Sequence, residues 1–232
     1  MIWISSSQYY TSLERTIHLQ STSYSVFLNS ETLVVNIWNP KGGQGKSMIA
    51  INLAAAAVQM GLKPLVICQD PQGTSSMTYE AGNLPFEVIS TIPKQKPDAN
   101  LVLIDHQASD WQIPQGRLLL MPVKPARTQY KTYVDARKLA EKSGKQIITV
   151  VTDAQHHRKD ERETAKRLVE KGALEIPSSG VFSRADAQLI TIFDERMNKA
   201  YKIKERRNDF LKILGAILAD ALEQKGEKQN VA

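Results

Sequence analysis

Cysteine is nearly absent from this chain of 232 residues, because Cys68 is its single thiol. One cysteine excludes a disulfide framework within the chain and a metal site built from several thiolates. Proteins that carry no disulfides are typical of reducing compartments. We therefore expect the chain to work in the cytoplasm.

Long apolar runs are also missing from the sequence. A helix that crosses a bilayer needs about 20 continuous apolar residues, and no stretch of the chain offers them. Residues 1–27 lack the basic start and apolar core of a secretory signal. Hydrophobic residues make up 42% and charged residues 23% of the chain, as in an ordinary globular protein. The net charge of +6 is compatible with a polyanionic partner without establishing one.

The first 32 residues differ in character from the rest of the chain. They are polar and rich in Ser and Tyr, with a weak alternation of polar and apolar residues over 22–28. We interpret residues 1–32 as an N-terminal extension, which could be a flexible arm, an added edge hairpin or a segment that binds a partner. The remainder, residues 33–232, has the length of one α/β domain.

Short β-branched runs alternate with helical segments from residue 33 onward. Strands are predicted at 33–38, 65–68, 101–104, 118–123 and 146–151, and helices at 48–60, 129–143, 158–171, 185–201 and 206–223. This alternation predicts an α/β fold with an open, mostly parallel, doubly wound sheet and helices on both faces. Ligands bind such sheets beyond the carboxyl ends of the strands. Lys41, Asp70, Asp105 and Asp153 all follow predicted strands.

A glycine-rich loop connects the first predicted strand to the first predicted helix. Its glycines allow backbone N–H groups to surround an anion, and the start of the helix adds a positive dipole. Lys46 and Ser47 have the residue types that bind phosphate and Mg²⁺ in phosphate loops. The usual template requires glycine where this chain has Pro40, so the pattern is a variant. The predicted nucleotide-binding residues of the loop are Lys41, Gly42, Gly43, Gln44, Gly45, Lys46, Ser47 and Met48, and the family resemblance described next adds Asp105.

The extra lysine, Lys41, makes this loop resemble the deviant Walker A loop of the ParA/MinD family of ATPases, in particular the small ParA-type plasmid partition ATPases. Asp70-Pro71-Gln72-Gly73 resembles the second motif of that family. Asp105 resembles its Walker B carboxylate. The resemblance extends over residues 33–223. It implies a P-loop NTPase that binds ATP and Mg²⁺.

The resemblance also implies a role for each matching residue. Lys46 would bind the phosphates of its own subunit, and Lys41 would reach those of a partner in an ATP-dependent homodimer. Ser47 would hold Mg²⁺, with Asp105 acting on it through a bound water. Asp70 would position the attacking water, so Lys41 and Asp70 are the catalytic candidates.

Two departures from the family pattern lie close to the expected γ-phosphate. The family usually carries an acidic residue where this chain has Cys68, and small residues and proline where it has His106-Gln107-Ala108-Ser109. We expect ATP hydrolysis to be slow for this reason. His106 or Gln107 could contact phosphate or water, or this segment could be a surface switch loop.

A basic stretch near the C-terminus suggests a DNA-binding surface, since neutralising phosphates drives non-specific binding. Its candidate residues are Lys199, Lys202, Lys204, Arg206 and Arg207. A solvated helix face is the alternative interpretation. Positional guesses for adenine contacts are Thr152, Asp153 and 182–184. Adjacent His156 and His157 do not predict a metal site.

The resemblance implies an ATP-switched dimer for plasmid partition or positioning. Such a protein would bind non-specific DNA, work with a centromere-binding adaptor and associate with the nucleoid. One alternative is a MinD-like positioning ATPase that uses the apolar face of the last helix at a membrane, which we do not favour because such faces usually pack on the sheet. The other alternative is a small-molecule synthetase or kinase on the same fold. Relatives that share an iron–sulfur cluster between subunits are excluded by the lone Cys68.

Overall fold

The computed structural model of the chain describes residues 32–70 and 74–231. Residues 1–31 of the predicted extension lie outside the described residues, and so do Pro71, Gln72 and Gly73 of the second motif. The predicted division at residue 32 stays a prediction.

A seven-stranded sheet in which every pairing is parallel forms the centre of the described structure. The strands are β1 (Leu33–Ile37), β2 (Pro64–Cys68), β3 (Glu87–Ile89), β4 (Leu101–Asp105), β5 (Leu118–Val123), β6 (Gln146–Ala154) and β7 (Leu174–Pro177). Their order in the sheet is β3-β2-β4-β1-β5-β6-β7. The predicted doubly wound α/β fold is therefore confirmed.

In the part of the chain that the structure describes, six α-helices and one short 3₁₀ helix surround the sheet. The helices are α1 (Lys46–Gln59), α2 (Thr74–Glu80), α3 (Arg127–Lys142), α4 (Lys159–Glu170), α5 (Gly180–Asp186) and α6 (Ile203–Val231), with the 3₁₀ turn at Glu195–Met197. On one face of the sheet, buried apolar residues of α1, α5 and α6 pack in a single cluster against all seven strands. On the other face, α3 and α4 cover β5 and β6.

The other half of that second face has no helix in its buried apolar cluster. The cluster consists of Leu65, Ile67 and Val102, with Ile89, Ala99 and Ile104 packed against them. Parallel strands are usually joined by a helical crossover. Residues 90–100, which join β3 to β4, contain no helix, and neither do residues 106–117, which join β4 to β5.

The long last helix is anchored in the core of the protein. Phe210, Ile213, Leu214, Ile217 and Leu218 of α6 are all almost completely buried. An apolar face used in this way is not available to a membrane surface. Among the described residues, no helix is long and apolar enough to cross a membrane.

The predicted helix over 185–201 is wrong. Helix α5 ends at Asp186, and Leu189 adopts a positive φ of 51°, which interrupts a helix. Ile190 and Ile192 are then buried in the core from backbone that is not helical. Strands β3 and β7 and the short helix α2 were not predicted, because each is too short to show a clear hydrophobic period.

Candidate functional site

The glycine-rich loop lies between the carboxyl end of β1 and the start of α1. Gly45 precedes the helix with φ 84°, and Gly43 has φ 72°, a region that residues other than glycine rarely adopt. The first turn of α1 contains no acidic residue, and no side chain caps it. The free N–H groups of this turn therefore point a positive dipole end at the loop, which favours an anion there.

Two buried amide side chains hold the loop in place. Asn39 donates from Nδ2 to the Pro122 carbonyl at 2.8 Å, and its Oδ1 accepts from the Lys41 N–H at 2.9 Å. Gln44 is fully buried, its Oε1 accepts from the Lys124 N–H at 2.9 Å, and its Nε2 donates to the Gln129 side chain. The Gln44 side chain therefore serves the packing of the loop.

Lys46 is nearly buried although it carries a charge. Its Nζ donates to the Asn39 carbonyl at 3.2 Å. Burial lowers the pKa of Lys46, and the carboxylates of Asp105 and Asp70 oppose that shift. Acceptors thus surround the ammonium group and hold it at the base of the loop. The phosphate groups of a nucleotide bound at the loop would contact it there.

Asp105 lies beside this lysine, fully buried at the end of β4. Burial raises the pKa of Asp105 to about 6, and hydrogen bonds from the Ser47 and Ser75 hydroxyls oppose the shift. Oδ1 of Asp105 has no hydrogen-bond partner among the described residues. A buried, unpartnered carboxylate oxygen next to a serine hydroxyl fits the hard oxygen ligands that Mg²⁺ prefers. These residues therefore fit the ion that the family resemblance implies.

An open cleft of about 660 Å³ lies over the loop. Residues 42–48 line it, together with Asp70, Gln107 and Ala108. The structure thus brings together residues 42–48 of the predicted loop and Asp70, while Asp105 is fully buried and does not line the cleft. Lys41 is exposed and does not line this cleft.

His106 does not line the cleft either. Its Nε2 lies 2.9 Å from Oδ1 of Asn36, and the Asn36 Nδ2 donates to the Gln115 carbonyl. Because this Asn36 oxygen can only accept, His106 carries its proton on Nε2. Burial lowers the pKa of His106 to about 4, so the ring is neutral at pH 7. His106 ties residues 106–115 to β1, and Gln107 and Ala108 are the residues of this segment that line the cleft.

A second cavity of about 510 Å³ adjoins the loop on the side of β6 and β7. Gly43, Gly45 and Met48 line both cavities. Thr152, Asp153, Phe182 and Ser183, suggested from the sequence for adenine contacts, line the second cavity, whereas Arg184 does not. Sequence reasoning missed Lys124, Pro177, Ser178, Ser179 and Gly180, which also line it. The missed strand β7 would have pointed to 177–180, since ligands lie at strand ends.

The basic candidates for DNA binding divide into two groups. Lys199, Lys202 and Lys204 are exposed. Arg206 pairs with Asp209 through Nη2 at 3.2 Å, and its side chain is only 12% exposed. Arg207 donates from Nε to the Ile192 carbonyl at 2.8 Å and from Nη2 to the Asp194 carbonyl at 3.0 Å. The two arginines therefore serve internal contacts, and the exposed charge belongs to the lysines.

The absence of a metal site at His156 and His157 stays a prediction. His156 lies 2.7 Å from Glu175 through its Nε2, in an exposed contact. Across residues 32–70 and 74–231, no group of three or more His, Cys, Asp or Glu side chains is arranged to hold a metal ion. Mg²⁺ bound mainly through phosphates and water does not require such a group.

Comparison with known proteins identifies the same architecture. Residues 35–231 match the family model of the CobQ/CobB/MinD/ParA nucleotide binding domain. MinD of Pyrococcus horikoshii with Mg-ADP superposes with a TM-score of 0.61 at 16% identity, covering 79% of this chain and 96% of that one. A putative plasmid partition protein of Borrelia burgdorferi bound to AMPPNP gives 0.60 at 16% identity, covering 79% and 98%. The MinC:MinD complex of Aquifex aeolicus gives 0.58 at 17% identity, covering 80% and 96%.

These likenesses at low identity show the fold, and the family match extends over the loop, the cleft and the last helix. The glycine-rich loop and the Asp105 carboxylate lie at the carboxyl ends of parallel strands, where sheets of this kind bind ligands. The chain belongs to the CobQ/CobB/MinD/ParA nucleotide-binding family.

Proposed function

We propose that this protein is an ATP-dependent dimerising switch that binds ATP with Mg²⁺, hydrolyses it slowly and positions DNA. The observation that carries the proposal is the different placement of the two loop lysines. Lys46 is buried at the base of the loop, whereas Lys41 is exposed outside the cleft. A lysine in that position can neutralise phosphates of a second subunit better than those of its own.

The chain's own residues supply most of the chemistry. The N–H groups of the loop and the Lys46 ammonium bind and orient the triphosphate. Ser47 and Asp105 would hold Mg²⁺, which neutralises phosphate charge when it is bound. Asp70 lines the cleft and attracts Lys46, so it is placed to orient a water for attack. Lys41 of a second subunit would add positive charge where negative charge develops.

The environment of Cys68 supports slow hydrolysis. Cys68 is 3% exposed and pairs in register with Asp105, and its Sγ lies 3.9 Å from the Asp70 carbonyl. A thiol at this place contributes neither the negative charge nor the acceptor strength of a carboxylate. Water positioning thus falls to Asp70 and to Gln107 at the cleft. The His106 ring is held away from the cleft by Asn36.

The DNA-binding part of the proposal rests on the exposed lysines at the start of α6. Lys199, Lys202 and Lys204 lie within six residues of chain and are all exposed. Clustered lysines of this kind bind phosphate backbones without reading base sequence. A centromere-binding adaptor would then supply the specificity for cargo. We further propose a cytoplasmic, nucleoid-associated location.

Sedimentation of the full chain with and without ATP and duplex DNA tests this proposal. We expect a dimer only with ATP and Mg²⁺, and DNA binding only by that dimer. Lys41→Ala should remain monomeric and lose DNA binding while still binding ATP. Lys138→Ala, which removes an exposed lysine on α3, is the matched control and should behave as wild type. Equal DNA affinity with and without nucleotide contradicts the switch.

A further inference from the structure

Tyr201 is the most exposed large apolar or aromatic side chain among the described residues. It is 81% exposed, against 48% for Trp111 and 39% for Tyr79. A single exposed ring needs no explanation by itself. Tyr201 differs from the other two in its neighbours along the chain, because Asp110 precedes Trp111 and Glu80 follows Tyr79, whereas only lysines are charged in residues 199–204. The ring therefore stands within a positively charged surface.

The turn that carries Tyr201 is anchored in the core on both sides. Met197 before it and Ile203 after it are both buried in the main apolar cluster. The Ala200 N–H donates to the Met197 carbonyl at 2.9 Å, and the Ile203 N–H donates to the Ala200 carbonyl at 3.2 Å. These contacts fix the backbone of the turn. The Tyr201 side chain is thus presented to solvent by a held turn.

The residue after Tyr201 has an unusual backbone conformation. Lys202 adopts a positive φ of 56°, a left-handed region that residues other than glycine rarely occupy. Such conformations persist where the surrounding structure fixes them, and they concentrate at functional sites. The Lys202 ammonium lies over the Tyr201 ring, with Nζ 5.4 Å from the ring centre. Because Tyr201 remains 81% exposed, most of its ring is still open to solvent.

An open aromatic ring among exposed lysines matches the chemistry of a single nucleic-acid strand. Unpaired bases stack on aromatic side chains, while positive charges bind the phosphates between them. In a duplex the bases already stack on one another, so a ring can enter only after a base step has been unstacked. Lys199, Lys202 and Lys204 are all exposed around the ring. The nearest acidic residues along the chain, Glu195 and Glu205, lie outside residues 199–204.

We propose that residues 199–204 bind single-stranded DNA, with a base stacked on the Tyr201 ring and phosphates bound by Lys199, Lys202 and Lys204. This inference rests on the DNA binding proposed above, from which it takes only the contact between these lysines and phosphates. It adds a preference for unpaired bases, which contacts to phosphates alone do not provide. The surface would therefore bind most tightly where the two strands of DNA are separated.

Binding of the full chain to two labelled probes tests the proposal. Fluorescence anisotropy with ATP and Mg²⁺ compares a short oligo-dT strand with a duplex of the same length. Tyr201→Leu keeps apolar bulk but removes the flat ring, and it should weaken oligo-dT binding by about 5- to 100-fold, as for one stacked base. Its affinity for duplex should change by less than about twofold, since a duplex offers no open base face.

Two further variants serve as controls. Tyr201→Phe keeps the ring and should bind oligo-dT as wild type does. Tyr79→Leu removes an exposed ring that adjoins an acidic residue, so it should leave both affinities unchanged. Thermal unfolding reports whether each variant is folded, and sedimentation with ATP reports whether it still forms the dimer.

The salt dependence separates stacking from charge. Stacking releases no counterions, so Tyr201→Leu should weaken oligo-dT binding by the same factor at every salt concentration. Replacing the three lysines by alanine should instead reduce the magnitude of the slope of log affinity against log salt concentration, by about 0.7 for each phosphate contact on a single strand. A Tyr201→Leu variant with a changed slope would contradict stacking.

Each remaining result decides between the two proposals. A wild-type protein that binds duplex but not oligo-dT would overturn this inference and leave the proposed function standing, and so would unchanged oligo-dT affinity in folded Tyr201→Leu. Equal losses for both probes would overturn it, because the ring would then contact duplex. Loss of the ATP-dependent dimer in Tyr201→Leu would place the ring between subunits and overturn it as well. Oligo-dT binding that depends on Tyr201, without any ATP-dependent binding of duplex, would support this inference and contradict the proposed switch.

Discussion

The Ser75 hydroxyl donates a hydrogen bond to the buried Asp105 carboxyl at 3.2 Å. Ser75 is itself fully buried and belongs to α2, the helix that follows the second motif. The Walker B-like carboxylate is thereby connected to the segment after Asp70 as well as to the loop through Ser47. A change in the charge or ligands of Asp105 therefore affects both the glycine-rich loop and helix α2.

Replacing Asp105 by Asn should stabilise the protein in the absence of nucleotide. Burial raises the pKa of Asp105 to about 6 from 3.8, so the folded state disfavours the charged form. The resulting penalty is absent well below pH 3.8 and fully present above pH 6. With about 1.4 kcal/mol for each pH unit, Asp105→Asn should increase the free energy of unfolding by at most about 3 kcal/mol at pH 7.5.

Urea unfolding at pH 7.5 and pH 4 measures this effect. The gain should shrink toward pH 4, and the added stability from Mg²⁺ and ATP should be lost in the variant. Asp98→Asn removes a carboxylate whose side chain is 93% exposed, and it should change neither quantity. A variant less stable than wild type at pH 7.5 without nucleotide would contradict the proposed burial penalty.

Replacing each of the two loop lysines by alanine should weaken ATP binding to a different extent. Lys46→Ala removes a buried ammonium from the loop and should weaken binding of a fluorescent ATP analogue by about 10- to 100-fold, as for hydrogen bonds to charged groups. Lys41→Ala should change this affinity by less than about threefold in the monomer, because its side chain lies outside the cleft. Fluorescence titration at low protein concentration measures both. If both variants lost affinity for the ATP analogue equally, Lys41 would contact the nucleotide of its own subunit.

Gln44 should matter for stability through contacts that its sequence position does not reveal. Its side chain is fully buried between the Lys124 N–H and Gln129. Gln44→Ala should lower the free energy of unfolding by about 1–3 kcal/mol, because it leaves buried partners unsatisfied. Thermal unfolding without nucleotide measures this loss. Gln107→Ala, on the exposed segment at the cleft, is the control and should leave stability unchanged.

The sequence predicts the parts of this site that depend on short local patterns. The loop, Asp70 and Asp105 follow predicted strands, and parallel strands bring their carboxyl ends to one edge. It does not predict where the Gln44 and His106 side chains point. Those directions depend on Lys124, Gln129 and Asn36, which approach from distant parts of the chain.

Residues 185–201 show a second limit of sequence reasoning. Their composition favours a helix, but Ile190 and Ile192 are buried in the core from backbone that is not helical. Asn52 of α1 fixes this arrangement, since its Oδ1 accepts from the Ile192 N–H at 2.9 Å. Packing against α1 thus overrides local propensity. In this arrangement Lys199 is exposed, and Arg207 donates hydrogen bonds to the Ile192 and Asp194 carbonyls.

Arg207 should contribute to folding. It donates to the Ile192 and Asp194 carbonyls, and its guanidinium lies 5.8 Å from the centre of the Phe193 ring. Arg207→Ala should lower the free energy of unfolding by about 1–3 kcal/mol. Lys204→Ala, on an exposed side chain of the same helix, should change it by less than about 0.5 kcal/mol. Urea unfolding measures both changes. If both variants lost equally little free energy of unfolding, Arg207 would be free to contribute to the exposed basic surface instead of to folding.

The exposed lysines should carry the salt dependence of DNA binding. Each phosphate contact contributes about −0.9 to the slope of log affinity against log salt concentration. Replacing Lys199, Lys202 and Lys204 together by alanine should therefore reduce the magnitude of the slope by about 3 in the presence of ATP, with unfolding unchanged. Fluorescence anisotropy with a labelled duplex at several salt concentrations measures the slope. The matched control replaces Lys131, Lys138 and Lys142, three exposed lysines of α3, and removes the same net charge. Both triple variants lose the same net charge. An equal fall in slope would therefore show that DNA binding depends on the net charge of the whole protein. A fall confined to the first variant would support a DNA-binding surface at the start of α6.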